Sequence, residues 1–150
     1  MDIMEWQKED YSISTDKSKL DIAVIHSYLS NESYWAEQIP FSIVKRSIDH
    51  SLCFGVYYHE SQIGFARVIS DYATFSYLCD VFILPEHRGR GLSKWLMEVI
   101  TDFPDLQGLR RYLLTTLDAH GLYAQFGFTP YPQPDRLMAR NYPDLYKTKK

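Results

Sequence analysis

Apolar residues along this chain follow two spacings in turn, and each change of spacing marks a change of element. "KLDIAVIHSYLS" places Ile22, Ile25 and Leu29 near helical spacing, with Asp16 or Ser18 available as an N-cap. "SYWAEQIPFSIVKRSI" interrupts with an aromatic loop and restarts at Pro40, a residue suited to a first helical turn. Ile43, Val44, Ser47 and Ile48 give this second helix its buried stripe. "LCFGVYYH", "QIGFARVIS" and "SYLCDVFIL" then read as strands, rich in β-branched and aromatic residues and separated by the polar breaks "ESQ" and "DYAT". Their short connections predict an antiparallel meander. Leu92, Trp95, Leu96 and Val99 stand at i, i+3, i+4 and i+7, which predicts a helix over Leu92 to Thr101.

"EDYSIST" reads as a first strand, "RRYLLTTL" as a strand after the third helix, "HGLYAQFGF" as a short helix ending at Gly127, and "DRLMARN" as a last short strand. The order is β-α-α-β-β-β-α-β-α-β, an α/β chain. The step from "DVFIL" through a helix to "YLLTTL" is a βαβ unit, so those strands are expected to be parallel with a right-handed crossover. The sheet is therefore mixed. At 150 residues the chain is expected to form one domain around a single core.

Composition narrows the setting. The chain is 45% hydrophobic and 23% charged, which is globular and not disordered. Its 12 tyrosines suggest a cavity with polar-tipped walls, though packing alone accounts for them equally well. A formal net charge of −3 gives no general attraction for nucleic acid, so any polyanion site must be local. Cys53 and Cys79 lie in apolar runs and read as buried free thiols in a reducing compartment. Acidic residues within Met1 to Asp10 argue against a signal peptide, and no apolar run approaches the ~18 residues that span a bilayer. A cytoplasmic protein without membrane association is expected.

The candidate chemistry centres on "LPEHRGRGLSKWLM". A strand, a glycine turn and a helix start leave free backbone N–H groups at a helix N-terminus, which is an anion site whatever the side chains are. Gly89 and Gly91 remove the Cβ atoms that would keep an anion away, and Arg88, Arg90 and Lys94 add positive charge that Glu86 partly opposes. The expected guest is a phosphate or pyrophosphate. A Walker loop is excluded, because "GLSK" puts Ser before Lys, and a dinucleotide fingerprint fails at Lys94, where its third glycine would stand.

"DVFILPEHRGRGLSKWLM" resembles the acetyl-CoA-binding segment of the GCN5-related N-acetyltransferase (GNAT) superfamily. Its signature is Gln or Arg, any two residues, Gly, any residue, then Gly or Ala; Arg88, Gly91 and Ser93 fall on it, with Ser93 departing from the small residue. "DAHGLYAQFGF" resembles the family's later segment, and the element order from "EDYSIST" to "DRLMARN" matches its fold. The resemblance implies acetyl transfer from acetyl-CoA to an amine by direct attack in a ternary complex. It implies that the strand Asp80 to Leu84 and the strand Tyr112 to Leu117 splay apart around pantetheine. Backbone groups of Val81 and Ile83 would bond its amides, with an N–H near Phe82 polarising the thioester carbonyl. The turn from Arg88 and Gly89 through Arg90 and Gly91 to Leu92, Ser93 and Lys94 would hold the pyrophosphate.

The same resemblance implies Tyr123 as general acid or thiolate stabiliser. Asp80 is the candidate base or, equally, a structural partner of Arg67; Glu32, Glu37 and Asp118 are weaker candidates. Tyr34, Trp35, Phe41, Arg67, Tyr77 and Phe128 are implied as the acceptor wall, suited to a cation or an aromatic amine. The five histidines show no metal-ligand spacing, so no metal is expected. The acceptor is expected to be a small-molecule amine, and a homodimer is compatible with the family. The rivals are a catalytically silent CoA sensor and a nucleic-acid module using "HRGRG", Arg110 and Arg111, against which the acidic total counts.

Overall fold

In a computed structural model that describes residues 2–147, the chain forms one six-stranded mixed sheet with strands in sequence order, β1 to β6. The N-terminal strand is a hairpin: β1 (Glu5–Lys8) pairs antiparallel with β2 (Tyr11–Ser14), and Glu9 turns the corner at φ 55°. Pattern reading of "EDYSIST" found only the second half, because β1 is largely exposed and carries no alternation.

α1 (Ile22–Asn31) buries Ile25, Tyr28 and Leu29. Its N-cap is Asp21, whose side chain accepts from the Val24 N–H, and not Asp16 or Ser18. Asp16 instead caps the single 3-10 turn Lys17–Lys19 that precedes the helix. Pro40 stands one residue outside α2 (Phe41–Asp49), which buries Val44 and Ile48. The meander β3 (Leu52–Tyr58), β4 (Ser61–Ser70) and β5 (Phe75–Ile83) is antiparallel throughout. α3 (Leu92–Thr101) connects β5 to β6 (Arg111–Leu114), and those two strands are parallel.

α4 (His120–Ala124) is followed by a turn that ends at Gly127, φ 89°. "DRLMARN" forms no strand. Only a 3-10 turn, Pro134–Arg136, occurs there, and Leu137 and Met138 are exposed. Three prolines at 130, 132 and 134 remove ladder donors on the approach to it.

Helices cover both faces of the sheet. α1 and α2 pack with Cys53, Phe65 and Phe82 on one side, while α3 packs with Phe54, Val68, Leu78 and Ile83 on the other. Leu78 and Ile83 share a face although they are five residues apart, an odd separation that strict alternation forbids. A β-bulge resolves this. Arg67 pairs with Cys79 and Phe65 with Phe82, so Ala66 alone faces Asp80 and Val81, and Asp80 sits at φ 56°.

Candidate active site

The turn after β5 is built by backbone. Gly89 and Gly91 adopt φ 78° and 76°, a region that costs an L side chain ~1–2 kcal/mol. A Cβ built on either glycine meets no heavy atom within 4 Å, so the space in front of the turn is open. Gly91 is the N-cap of α3 and offers no side-chain cap, which leaves the first N–H groups of the helix aimed into that space. Arg90 and Lys94 are exposed beside it, whereas the Leu92 side chain is buried in the core and can contribute only its N–H.

Arg88 is placed differently from its charged neighbours. Its Nε donates to the Ile83 carbonyl at 2.9 Å and its Nη2 to the Tyr28 hydroxyl at 3.0 Å. His87, just before it, is held by its Nδ1 against the Tyr11 hydroxyl at 2.8 Å. The turn is thus tied to the sheet on both sides of the strand end.

Next to the turn the parallel pair opens. β5 and β6 pair from Phe75↔Arg111 to Leu78↔Leu114, where β6 ends, while β5 continues to Ile83. From Cys79 onward the β6-facing edge of β5 has no partner strand among the described residues. The bulge at Asp80 falls just beyond the last β5–β6 pair. Unpaired ladder groups require a partner, and an extended ligand with amides can supply one.

A cavity of about 700 Å³ occupies the opening, and Tyr34, Trp35, Arg67, Tyr77, Asp80, Val81 and Tyr123 all line it. Phe41 and Phe128, expected on the same wall, lie elsewhere. Phe41 is an exposed residue of α2 whose ring packs edge-on against His26 at 5.4 Å. Phe128 lines a separate cavity of about 840 Å³ beyond β6 and packs edge-on against Tyr112 at 5.4 Å. Of the weaker acidic candidates only Asp118 reaches the first cavity, and it is exposed. The side chains of Phe82 and Ile83 are buried on opposite faces of the sheet, so only their backbone is available to a ligand.

Asp80 is the best-anchored acid of the site. Its Oδ2 accepts from Arg67 Nε at 2.9 Å and its Oδ1 from Trp35 Nε1 at 2.9 Å, while Arg67 Nη1 donates to Ser51 Oγ at 3.0 Å. Burial opposes the Arg67 charge, but the Asp80 carboxylate outweighs it and holds the guanidinium above its ordinary range. The cavity mouth is braced by Tyr77 and Thr115, whose hydroxyls lie 2.9 Å apart, and by the Leu117 N–H, which donates to the Tyr34 hydroxyl at 3.0 Å.

Tyr123 lines both cavities, and its hydroxyl has no hydrogen bond among the described residues. Burial pushes it up to about 12, with Tyr34 and Asp118 adding to the effect. Sequence reasoning missed Tyr146, which reaches the cavity from the C-terminal turn, and Tyr28 beneath Arg88. No motif surrounds the first, and helix periodicity explains the second as core.

The sequence profile of the acetyltransferase (GNAT) family matches residues 2–128. The chain is 33% identical over 153 residues to a Gibberella zeae protein named as acetyltransferase FG08082, covering 87% of this chain and 85% of that protein. A solved structure from Xanthomonas campestris pv. campestris, described as an acetyltransferase belonging to the GNAT family, is 60% identical with a TM-score of 0.90, covering 92% of this chain and 97% of that one. A Clostridium acetobutylicum acetyltransferase solved with acetyl-CoA shares the fold at a TM-score of 0.62 and 12% identity, covering 93% of this chain and 95% of that one.

Proposed function

The chain belongs to the GNAT family of acetyltransferases, and on that premise we propose that it transfers acetyl from acetyl-CoA to the primary amine of a small-molecule acceptor within one ternary complex. The observation that carries this reading is the opening of β5 from β6 directly beside the glycine turn, with Tyr123 on the wall of the opening. Backbone groups of Val81 and Ile83 would bond the pantetheine amides, and an N–H near Phe82 the thioester carbonyl. The first N–H groups of α3 at Leu92, Ser93 and Lys94, with the Gly89 and Gly91 backbone and the charges of Arg90 and Lys94, would hold the pyrophosphate. Bound there, acetyl-CoA supplies an activated acetyl thioester.

Tyr123 donates a hydrogen bond toward the leaving sulfur and keeps its own proton, so the thiolate released as the C–S bond breaks takes its proton from water. A phenol held at about 12 cannot pass a proton downhill to a thiolate whose conjugate acid lies near ~8.5. Asp80 acts by holding Arg67 and Trp35 in place, with each of its oxygens accepting from one of them. The amine instead loses its proton to water at the cavity mouth, beside Asp118. Tyr34, Trp35 and Tyr77 wall an acceptor cavity whose buried cation, Arg67, is already matched by Asp80, which suits an amine carrying positive charge as it arrives. One domain carries all of this. Its two free thiols, pushed up to about 12 by burial, suit a reducing cytoplasm.

The test is acetyl-CoA-dependent release of free thiol with a panel of small amines. Amine-dependent release is expected. CoA bound tightly with no release from any amine makes the protein a CoA sensor instead.

A further inference from the structure

Three parts of the site meet on one side chain that no motif contains. Tyr28 is 8% exposed in the second turn of α1, and its ring stacks face to face on Phe82 of β5 at 4.1 Å and 12°. Its hydroxyl accepts from Arg88 Nη2, and the same guanidinium reaches the Ile83 carbonyl through Nε. Its own carbonyl accepts the N–H groups of Glu32 and Ser33, at 2.8 and 3.0 Å, where α1 ends and the aromatic loop begins. The Tyr28 ring lies 6.5 Å from that of Trp35.

Arg88 therefore spans from the end of β5 to α1 across the base of the glycine turn. Its fork reaches one backbone and one side-chain acceptor, a geometry that a lysine ammonium cannot reproduce. If Arg88 served as a free positive charge for phosphate, nothing would require this double anchorage. Arg88 is itself exposed, but Arg90 and Lys94 already supply exposed charge at the turn.

We infer that Tyr28 is a positioning residue for the pyrophosphate turn, acting through Arg88, and that Arg88 contributes to cofactor affinity by fixing the turn and not by its charge. This rests on the acetyl-CoA reading of the site. Tyr28→Phe keeps the stack on Phe82 and removes only the acceptor; Arg88→Lys keeps the charge and removes the fork.

The test is CoA affinity by titration calorimetry for the wild type, both single variants and the double variant, with apo melting curves recorded alongside. Each single variant is expected to weaken CoA by ~5- to 10-fold, the net size of one ordinary hydrogen bond. The double variant should be no weaker than either single one, because both break the same tie. Arg88→Lys binding as tightly as wild type, or losses that multiply in the double variant, would overturn the inference. A wild-type protein that binds no CoA overturns the acetyl-CoA reading itself, and a single variant of unchanged affinity overturns only the tie. A merely structural Tyr28 would lower the melting point without coupling to Arg88.

Discussion

The turn that opens α3 and the cavity beside β6 lie next to each other but are made in different ways. The turn comes from one contiguous stretch, and it presents backbone N–H groups at a helix start flanked by two glycines at positive φ. The cavity gathers side chains from the aromatic loop, β4, β5, the segment after β6, α4 and the C-terminal turn. A site made of backbone survives exchange of side chains as long as the backbone path is kept. A site made of side chains is remade by each exchange. The turn is thus expected to fix the donor, and the cavity to choose the acceptor.

The sharpest way to break this comparison is at Gly91. Gly91→Glu forces an L side chain to positive φ, at ~1–2 kcal/mol, and puts a carboxylate into the open space at the helix N-terminus. CoA at a hundredfold excess over its dissociation constant should stabilise the wild type by ~2.7 kcal/mol and the variant not at all. A folded variant with the full thermal shift would move the pyrophosphate elsewhere.

On the cavity side, Tyr123→Phe should lower kcat by roughly 10- to 10³-fold with KM near its starting value, because the lost contact strengthens only in the transition state. With burial holding the hydroxyl well above its ordinary range, a limb of the wild-type kcat–pH profile near neutrality does not belong to Tyr123. The same shift sets a stability trend. Above pH ~10 the unfolded chain releases this proton first, so stability falls as pH rises toward 12, and Tyr123→Phe removes its share of the decline. Unchanged kcat where chemistry limits the rate would take Tyr123 out of the reaction.

Asp80→Asn sharpens the comparison at its middle, since Asp80 lies on the strand proposed to bind the cofactor and lines the cavity proposed for the acceptor. Arg67 loses its partner, at a cost of about 3 kcal/mol seen in thermal or denaturant unfolding. The amine KM should rise by roughly 10-fold, because the amide keeps one acceptor oxygen and cannot hold both Arg67 and Trp35 as the carboxylate does, with CoA affinity changed by less than about 2-fold. A variant that keeps KM but loses kcat and the acidic limb of its pH profile would make Asp80 the base. The smallest effect is expected at the turn: Ser93→Ala should leave CoA affinity within about 2-fold, because the N–H and not the hydroxyl does the binding. A larger loss would show that the serine itself holds phosphate.

Legibility in the sequence follows the same division. Helical spacing located α3 to the residue, and the meander strands to within a few. The hairpin strand β1 stayed hidden because an exposed edge strand need not alternate. "DRLMARN" does look like a strand, but a strand exists only where a neighbour pairs with it, and none does among the described residues. Phe41 and Phe128 are aromatic residues in the right segments, and only packing shows that one faces away and the other lines a different cavity. Asp80 is visible as an acid on a strand, while its two hydrogen bonds require β4 and the aromatic loop to be in place.

By itself the sequence determined what is local: the periods of the helices, the positive-φ glycines, and a helix start with free N–H groups. Each is decided by steric and hydrogen-bonding preferences within a dozen residues. Only the tertiary structure decided where β5 leaves β6, where the bulge places Asp80, that Tyr28 of α1 meets Arg88, and that Tyr146 of the C-terminal turn lines the cavity. Those outcomes depend on how far two strands can stay paired and on which distant surfaces come into contact. No stretch of the chain contains that information alone.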